Sequence, residues 1–471
     1  MEETGDRRDE VEQLAGAVAG ALTAAGSRVG ADAIVGLCRL SGGASRETWS
    51  FTAAGRPLIL QRTRGGGSLD GPSMAEEDEL LVAATAVGVP VPPIVVDAST
   101  CGPFLGEARI TAHVDGEALG PRIVRGDAFA SARAVLPAQC GRALAAIHSI
   151  DPATVPGLSP VEPLERLRAG LDLLDEHRPA FELALRWLRD HRPPARPPTV
   201  VHGDFRIGNL LVDPERGLEA ILDWELAHLG DPLEDLGWLC VRAWRFGGAG
   251  EVGGVGPLGD LLAAYADESG APVAPEHVRW WIVVGTLTWG LICAVQARRH
   301  LDGHVRSVEL ATIGRRVVET EHDLLDLLGI AREEASGDEG TDGGDAREVP
   351  DPRDGLLPAG EGRPSAADLV DAVRTFLTDD VAPGVEGATA FQLKVAANAL
   401  RIVERELRQD PFARQRVADL LASAGAETEE ELAGSIRTDT VDADEWVLHR
   451  AVRAAVTARL QVANPKWLAG P

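Results

Sequence analysis

Four polar side chains interrupt an otherwise apolar stretch of the chain. His202, Asp204 and Asn209 lie between "VV" and "LLV", and Asp223 follows "AIL". Short aliphatic runs of this kind read as buried strands. The carboxylates and the amide then belong to the loop that those strands hold rigid. Phosphoryl transfer is the chemistry that calls for such a set. There the protein mainly positions groups and stabilises charge: one carboxylate orients the attacking hydroxyl or takes its proton, while an amide and a second carboxylate hold Mg²⁺ on the nucleotide phosphates. The order H-G-D-x₄-N, followed by Asp after an aliphatic strand, is that arrangement.

Each residue also has a plainer reading. Asp204 could close an Asx-type turn, Asn209 could brace a loop, and Asp223 could cap a helix. His202 organises the loop by hydrogen bonding rather than by acid–base work. Glu225 suits a metal or substrate contact as well as a structural ion pair. Asp231 and Asp235 stabilise the loops beyond the strand, and Arg206 holds the loop or touches phosphate. His113, His148 and His228 read as packing residues. Trp238, Trp280 and Trp281 sit at helical core positions and need no ligand to explain them.

The flanking elements follow from periodicity. Val11, Leu14, Val18 and Leu22 repeat at helical spacing within residues 1–35. "LCRLSGGASRETWSFTAAGRPLILQRT" reads as three strands joined by turns, the first turn rich in Gly. "SMAEEDELLVAATAVG" reads as a helix ending at Gly88, and "ARITAHVDG" as a strand entering a loop. Helical patterns dominate from about Pro121 to Arg196 and again over 233–330. Residues 331–363 are acidic and rich in Gly and Pro, with too few apolar groups to offset the entropy of ordering, so they read as a flexible linker. Beyond them Ser365 precedes a helix with Leu369, Val373 and Phe376 on one face. Amphipathic helices around Ala396–Leu407 and Trp446–Leu460 complete a small all-α domain over 364–471.

Composition narrows the function classes. A net charge of −27 argues against nucleic acid or an anionic membrane as the partner. The apolar run Trp280–Val295 is too short for a span of about 20 residues and suits a core helix. Five scattered cysteines without a CxxC pair, and no signal peptide, point to a reducing cytoplasm. Lysine occurs only at Lys394 and Lys466, so phosphate contacts earlier in the chain must come from Arg, backbone N–H or a metal.

"LSGGASRETW", "GVPVP", "VVHGDFRIGNLLVD" and "ILDWELAHLGDPLEDLGW" resemble the aminoglycoside phosphotransferase/choline-kinase-like superfamily, in particular the branch fused to acyl-CoA dehydrogenases. The resemblance covers about residues 25–330. The tail resembles a small helical domain of unknown function often encoded beside such kinases. What the resemblance implies is an α+β, bilobal protein-kinase-like fold, with a β-rich N-lobe over about 25–115 and a helical C-lobe over about 116–330. It implies ATP and Mg²⁺ as cofactors, Asp204 as catalytic base, and Asn209 and Asp223 as metal ligands. Ser41, Gly42, Gly43, Ala44 and Ser45 would cover the phosphates. Thr111 to Val114, with His113, would be the hinge that meets adenine.

One feature departs from that pattern. Kinases carry a Lys on the third strand, paired with a Glu on the next helix. Here the strand reads "LILQRT", so Gln61 or Arg62 must stand in. Arg62 carries the charge and is the expected substitute, with Glu77 (or Glu76) as its partner. Two readings of function follow: an active kinase acting on a small-molecule hydroxyl, or a nucleotide-binding pseudokinase that works through its helical tail. The acceptor would be a hydroxyacyl-CoA or an aminoglycoside, with an acyl-CoA dehydrogenase as a partner. Arg298, Arg299, Arg306, Arg315 and Arg316 form a basic island that suits the phosphates of CoA, or else a solvated, ion-paired helix face.

Overall fold

The computed structural model describes residues 2–40, 46–63, 71–330, 364–441 and 443–470. In chain order they form α1 (Glu2–Ala24), β1 (Ile34–Arg39), β2 (Arg46–Ala53), β3 (Arg56–Thr63), α2 (Met74–Ala86), β4 (Ile94–Val96), α3 (Ala98–Leu105) and β5 (Ala108–Ala112). There follow α4 (Gly120–Arg125), α5 (Ala130–His148), α6 (Pro163–Leu174), α7 (Pro179–Asp190), β6 (Thr199–Val201), β7 (Leu210–Asp213), β8 (Gly217–Ile221), β9 (His228–Gly230), α8 (Leu233–Leu239), α9 (Leu258–Ser269) and α10 (Pro275–Leu301). The remainder is α11 (Val308–Gly314), α12 (Val317–Leu327), α13 (Ala366–Thr375), α14 (Gly387–Leu407), α15 (Pro411–Ser423), α16 (Glu429–Arg437) and α17 (Glu445–Ala463). Residues 1–166 with 192–286 form one unit, and 167–191 with 287–470 form a second.

In the first unit a five-stranded sheet, ordered β1-β2-β3-β5-β4, pairs antiparallel throughout. Strand alternation sorts its side chains onto two faces. Trp49 and Phe51 of β2, Leu58 and Leu60 of β3, and Ala108 and Ile110 of β5 point to one face. There they pack with Leu14, Val18 and Leu22 of α1 and Cys101 of α3. Each fully buried Leu or Phe of this set contributes about 1.5–3 kcal/mol. The β2–β3 turn places Ala54 (φ 49) and Gly55 (φ 78) in the left-handed region, the geometry that two-residue hairpins need. A capping box at Ser73 starts α2: Ser73 Oγ accepts from the Glu76 N–H, and the Glu76 carboxylate accepts from the Ser73 N–H. The expected small β-rich lobe and helical remainder are both present.

The second unit has its own core. Ala180 and Leu183 of α7, Val318 and Leu325 of α12, Leu432 and Ile436 of α16, and Leu448, Val452 and Val456 of α17 are all buried in one cluster. The sequence separates a kinase domain ending at 330 from an independent tail. Packing instead joins the last kinase-domain helices to the tail, because α7 and α12 carry apolar faces that α15–α17 cover. The linker 331–363 lies outside the described residues. Leu369, Val373 and Phe376 share a face of the α13 region as expected, and that face is exposed.

Helix α10 runs for 27 residues, longer than its apolar run suggests, and by length and composition it could cross a membrane. Within the protein 61% of its most apolar window is buried, and Trp280, Trp281 and Val283 belong to the core. Gly237 of α8 lets it approach closely: a Cβ there would lie 2.5 Å from Trp281 Cβ.

Candidate active site

β6 pairs with β9, and β7 pairs with β8 in a short hairpin. Between β6 and β7 runs the loop His202–Asn209, closed by a 3₁₀ turn over Ile207–Asn209. Gly203 adopts φ +77, and a Cβ there would sit 2.3 Å from the Leu226 carbonyl oxygen, so the H-G-D order has a steric cause. His202 is fully buried. Its Nδ1 accepts from the Asp204 N–H at 3.2 Å, and its Nε2 faces the Leu222 carbonyl at 3.0 Å. These partners assign the neutral Nε2–H tautomer, and burial pushes the imidazole below its ordinary pKa. Asp235 holds the loop from below, accepting from the backbone N–H of His202 at 2.8 Å and of Gly203 at 3.0 Å. His148 Nε2 contacts the same carboxylate at 3.2 Å, and its Nδ1 meets Tyr265 Oη at 2.9 Å. His202 thus organises the loop by hydrogen bonding, while Asp235 braces this loop rather than those beyond the strand.

The Asp204 carboxylate is fixed by three side chains. Trp238 Nε1–H donates to Oδ1 at 2.8 Å and Asn209 Nδ2 to Oδ2 at 2.6 Å. Arg206 Nε lies 3.0 and 3.2 Å from the two oxygens, and its guanidinium stacks over Trp244 with 5.0 Å to the ring centroid. Trp238 therefore does more than fill the core. Its single donor is the kind of buried indole N–H that demands a partner, but nothing in the sequence pairs it with a residue 34 positions earlier.

Asp223 sits at φ 66, a strained conformation for a non-glycine residue. Burial, then the like charges of Glu225 and Asp204, raise its pKa to about 7, against the opposing pull of Arg206 and Arg46. A buried carboxylate facing two others fits a cation. Asn209 spends its Nδ2 on the side chain and carbonyl of Asp204, so only its Oδ1 could meet a cation. Among the described residues no group of three or more His, Cys, Asp or Glu forms a metal cage. Mg²⁺ needs none, since it takes one or two protein ligands and completes its shell with phosphate and water.

The expected Arg62–Glu77 pair does not form. Arg62 shares the parity of Leu58 and Leu60, so it points to the face covered by α1. There its Nε binds Glu47 at 2.7 Å, and Glu10 of α1 lies 3.8 Å from Nη2. Gln61 points to the opposite face, and its Oε1 accepts from Arg109 Nε at 3.1 Å. The same alternation brings Arg46 of β2 and Arg109 of β5 onto that face. Both bind the buried Glu77 of α2: Arg46 through two nitrogens, one of them 2.7 Å from Oε2, and Arg109 through Nη2 at 2.7 Å. Arg46 also places Nε 3.6 Å from Glu225 and lies in the field of Asp223. It thus lies between the α2 carboxylate Glu77 and Glu225, the place expected of Arg62. Its signal, "SRETW", was visible, but its partner lies 31 residues away. Glu76 faces Ser73 instead.

Ser41, Gly42, Gly43, Ala44 and Ser45 lie outside the described residues. Thr111 is buried, and the N–H groups of Ala112 and His113 bond the carbonyls of Pro93 and Pro57. In the second unit Arg298 pairs with Asp302 at 3.1 Å, Arg315 with Glu406 at 2.8 Å and Arg316 with Glu319 at 3.0 Å. Arg299 meets the Gln296 amide at 3.5 Å. The basic island is therefore largely the ion-paired face of the plainer reading, and it does not argue for an acceptor.

A family model described as "Phosphotransferase enzyme family" matches residues 36–280, just over half of the chain. A second, a domain of unknown function (DUF6285), matches residues 383–467. Acyl-CoA dehydrogenase family member 10 of Mus musculus is 30% identical over 219 residues, covering 44% of this chain and 20% of that protein. Family member 11 of Gallus gallus is 28% identical over 215 residues, covering 42% and 27%. The chain therefore spans less than a third of the length of either relative. A solved Ralstonia eutropha structure, assigned as an aminoglycoside phosphotransferase, aligns with a TM-score of 0.51 at 21% identity, over 64% of this chain and 94% of that one. At that identity the likeness shows the fold alone.

Proposed function

Since the chain belongs to the phosphotransferase enzyme family, we propose that its first unit uses ATP with Mg²⁺ to phosphorylate a hydroxyl of a hydroxyacyl-CoA. The observation that carries the phosphotransfer reading is the Asp204 carboxylate, held by Trp238, Arg206 and Asn209, with the perturbed Asp223 across the same loop. Asp204 would accept the hydroxyl proton, and its fixed orientation lowers the entropic cost of aligning the nucleophile. Asn209 Oδ1 and Asp223 would hold Mg²⁺, which when bound supplies positive charge to the phosphate oxygens. Arg46, anchored on Glu77, would supply the cation that kinases take from lysine. Among the described residues the Val114 N–H has no backbone acceptor, and it is the hinge group we assign to the base.

The acyl-CoA acceptor is supported by the similarity to acyl-CoA dehydrogenase family members 10 and 11. An acyl-CoA dehydrogenase partner follows from the same similarity. A cytoplasmic location fits the free cysteines, four of which are buried thiols. A catalytically silent module was suggested by the missing strand lysine; Arg46 on Glu77 supplies an equivalent pair and favours turnover. ADP release measured across hydroxyacyl-CoA thioesters and aminoglycosides tests the acceptor. Turnover with a hydroxyacyl-CoA supports it, and turnover confined to aminoglycosides refutes it. No turnover with any acceptor, alongside intact ATP binding, would favour the silent module.

A further inference from the structure

The chain holds 46 Lys and Arg against 73 Asp and Glu, so a cavity walled by cations runs against its composition. The second unit contains one. A cavity of ≈ 660 Å³ is bounded by α11–α12, α14 and the C-terminal turn Pro465–Ala469. Arg315, Arg316, Arg401, Arg405 and Lys466 line it, and Glu319 is the one carboxylate among its lining residues. Arg315 and Arg316 are committed to Glu406 and Glu319. Arg401 and Lys466 have no carboxylate partner among the described residues. Arg405 donates Nη2 to the Ala463 carbonyl at 3.1 Å, while its Nε–H, shielded from solvent, meets no acceptor.

This arrangement costs stability as it stands. Arg401 and Arg405 are spaced i, i+4 on α14, where like charges repel. Burial, and then the Arg401 charge, push the Arg405 guanidinium below its ordinary pKa. An acidic chain has carboxylates in plenty, yet no ion pair among the described residues reaches Arg401 or Lys466, and Lys466 is one of only two lysines in the sequence. Trp467 adds an aromatic wall, its ring fixed by an Nε1–H donated to Asp323 Oδ1 at 2.9 Å. The Arg401 guanidinium, the unbonded Nε–H of Arg405 and the Lys466 ammonium beside a held indole suit phosphate oxygens attached to a planar organic group.

We propose that this cavity binds a multiply charged organic phosphate of the nucleoside bisphosphate type, with its phosphates on Arg401, Arg405 and Lys466 and its base against Trp467. The donors are cationic side chains with no metal ligand among them, so binding needs no divalent ion. The inference stands apart from the phosphotransfer reading, because none of these residues belongs to the Asp204 loop.

Calorimetric titration of the full-length protein in EDTA, with adenosine 3′,5′-bisphosphate and separately with pyrophosphate, tests it. The expected result is saturable binding of the bisphosphate, tighter than that of pyrophosphate, that weakens as salt rises from about 50 to 200 mM. Arg401→Gln combined with Lys466→Gln should weaken it by at least about tenfold. Both side chains are exposed, so this variant should fold, and an unchanged circular dichroism spectrum checks that it does. Three results would overturn the proposal: no saturable binding of either probe below about 1 mM, equal affinity in the double variant, or salt-independent binding. Equal affinity for the two probes would remove Trp467 from the site.

Discussion

In the proposed reaction Asp204 is the residue on which the chemistry turns. Asp204→Ala should lower turnover by about 10²–10⁴-fold, because a positioned general base contributes that much, while ATP affinity stays close to wild type. Steady-state kinetics together with ATP titration check both halves, and wild-type turnover would remove Asp204 from the mechanism. The two arginines of the sheet give a sharper contrast. Arg46→Ala should raise the KM for ATP and lower kcat/KM by about 10–100-fold, since a charge-assisted phosphate contact and the Glu77 pair are lost together. Arg62→Ala should leave both near wild type, because Arg62 faces Glu47 and α1. The reverse ranking would restore the strand position that the sequence suggested. What was legible here followed distance along the chain. His202, Asp204, Asn209 and Asp223 fall within one stretch that names its own chemistry. Arg46, Arg109, Trp238 and Asp235 act through partners some 31–34 positions away, and a single sequence does not display such pairings. The choice between Gln61 and Arg62 was a question of strand parity, which the buried Leu58 and Leu60 decide.

At the scale of elements, the His202–Asn209 loop is braced by a carboxylate on α8. Burial raises the Asp235 pKa, but the His148 hydrogen bond, the electrostatic pull of the His148 and His202 rings and the His202 N–H bring it below the ordinary carboxylate value. A depressed carboxylate stabilises the fold above its unfolded pKa of about 3.9, and that stabilisation is lost as pH falls through the folded value. The protein should therefore keep this contribution at neutral pH and lose it below about pH 4. Asp235→Asn should cost about 2 kcal/mol at neutral pH, since it replaces charge-assisted bonds by neutral ones, and should flatten the acid side of the profile. Urea midpoints of both proteins between pH 3 and 7 measure this; identical profiles would contradict it. The tail makes a second case. Sequence periodicity found α13, α14 and α17, whose apolar faces repeat cleanly, but passed over α15 and α16. It also drew a boundary where the core is shared, because an acidic linker looks the same whether or not the helices on either side of it pack together. Arg453 of α17, with its guanidinium on the Ile330 carbonyl and 2.9 Å from Asp326, marks that sharing. Proteolysis within 331–363 should give two fragments that co-elute on size exclusion. Separate elution of two stable pieces would show an independent tail.

For the whole molecule, net charge proved a weak guide to local chemistry. A chain at −27 still gathers two arginines on the buried Glu77 and a cationic cavity by Trp467, because strand and helix periodicity place charges locally whatever the diffuse surface excess. The apolar run of α10 suits a core helix, as its sequence suggests, and Trp280, Trp281 and Val283 are packed against protein. The central claim is that the first unit transfers a phosphoryl group from ATP to a small-molecule hydroxyl at Asp204. Mass spectrometry of the products formed from ATP, Mg²⁺ and a panel of hydroxyacyl-CoA thioesters, with wild-type and Asp204→Ala protein side by side, tests it most directly. The account predicts a phosphate ester of one thioester with the wild type and almost none with the variant; the same ester formed equally by both proteins, or formed by neither while ATP still binds, would contradict it.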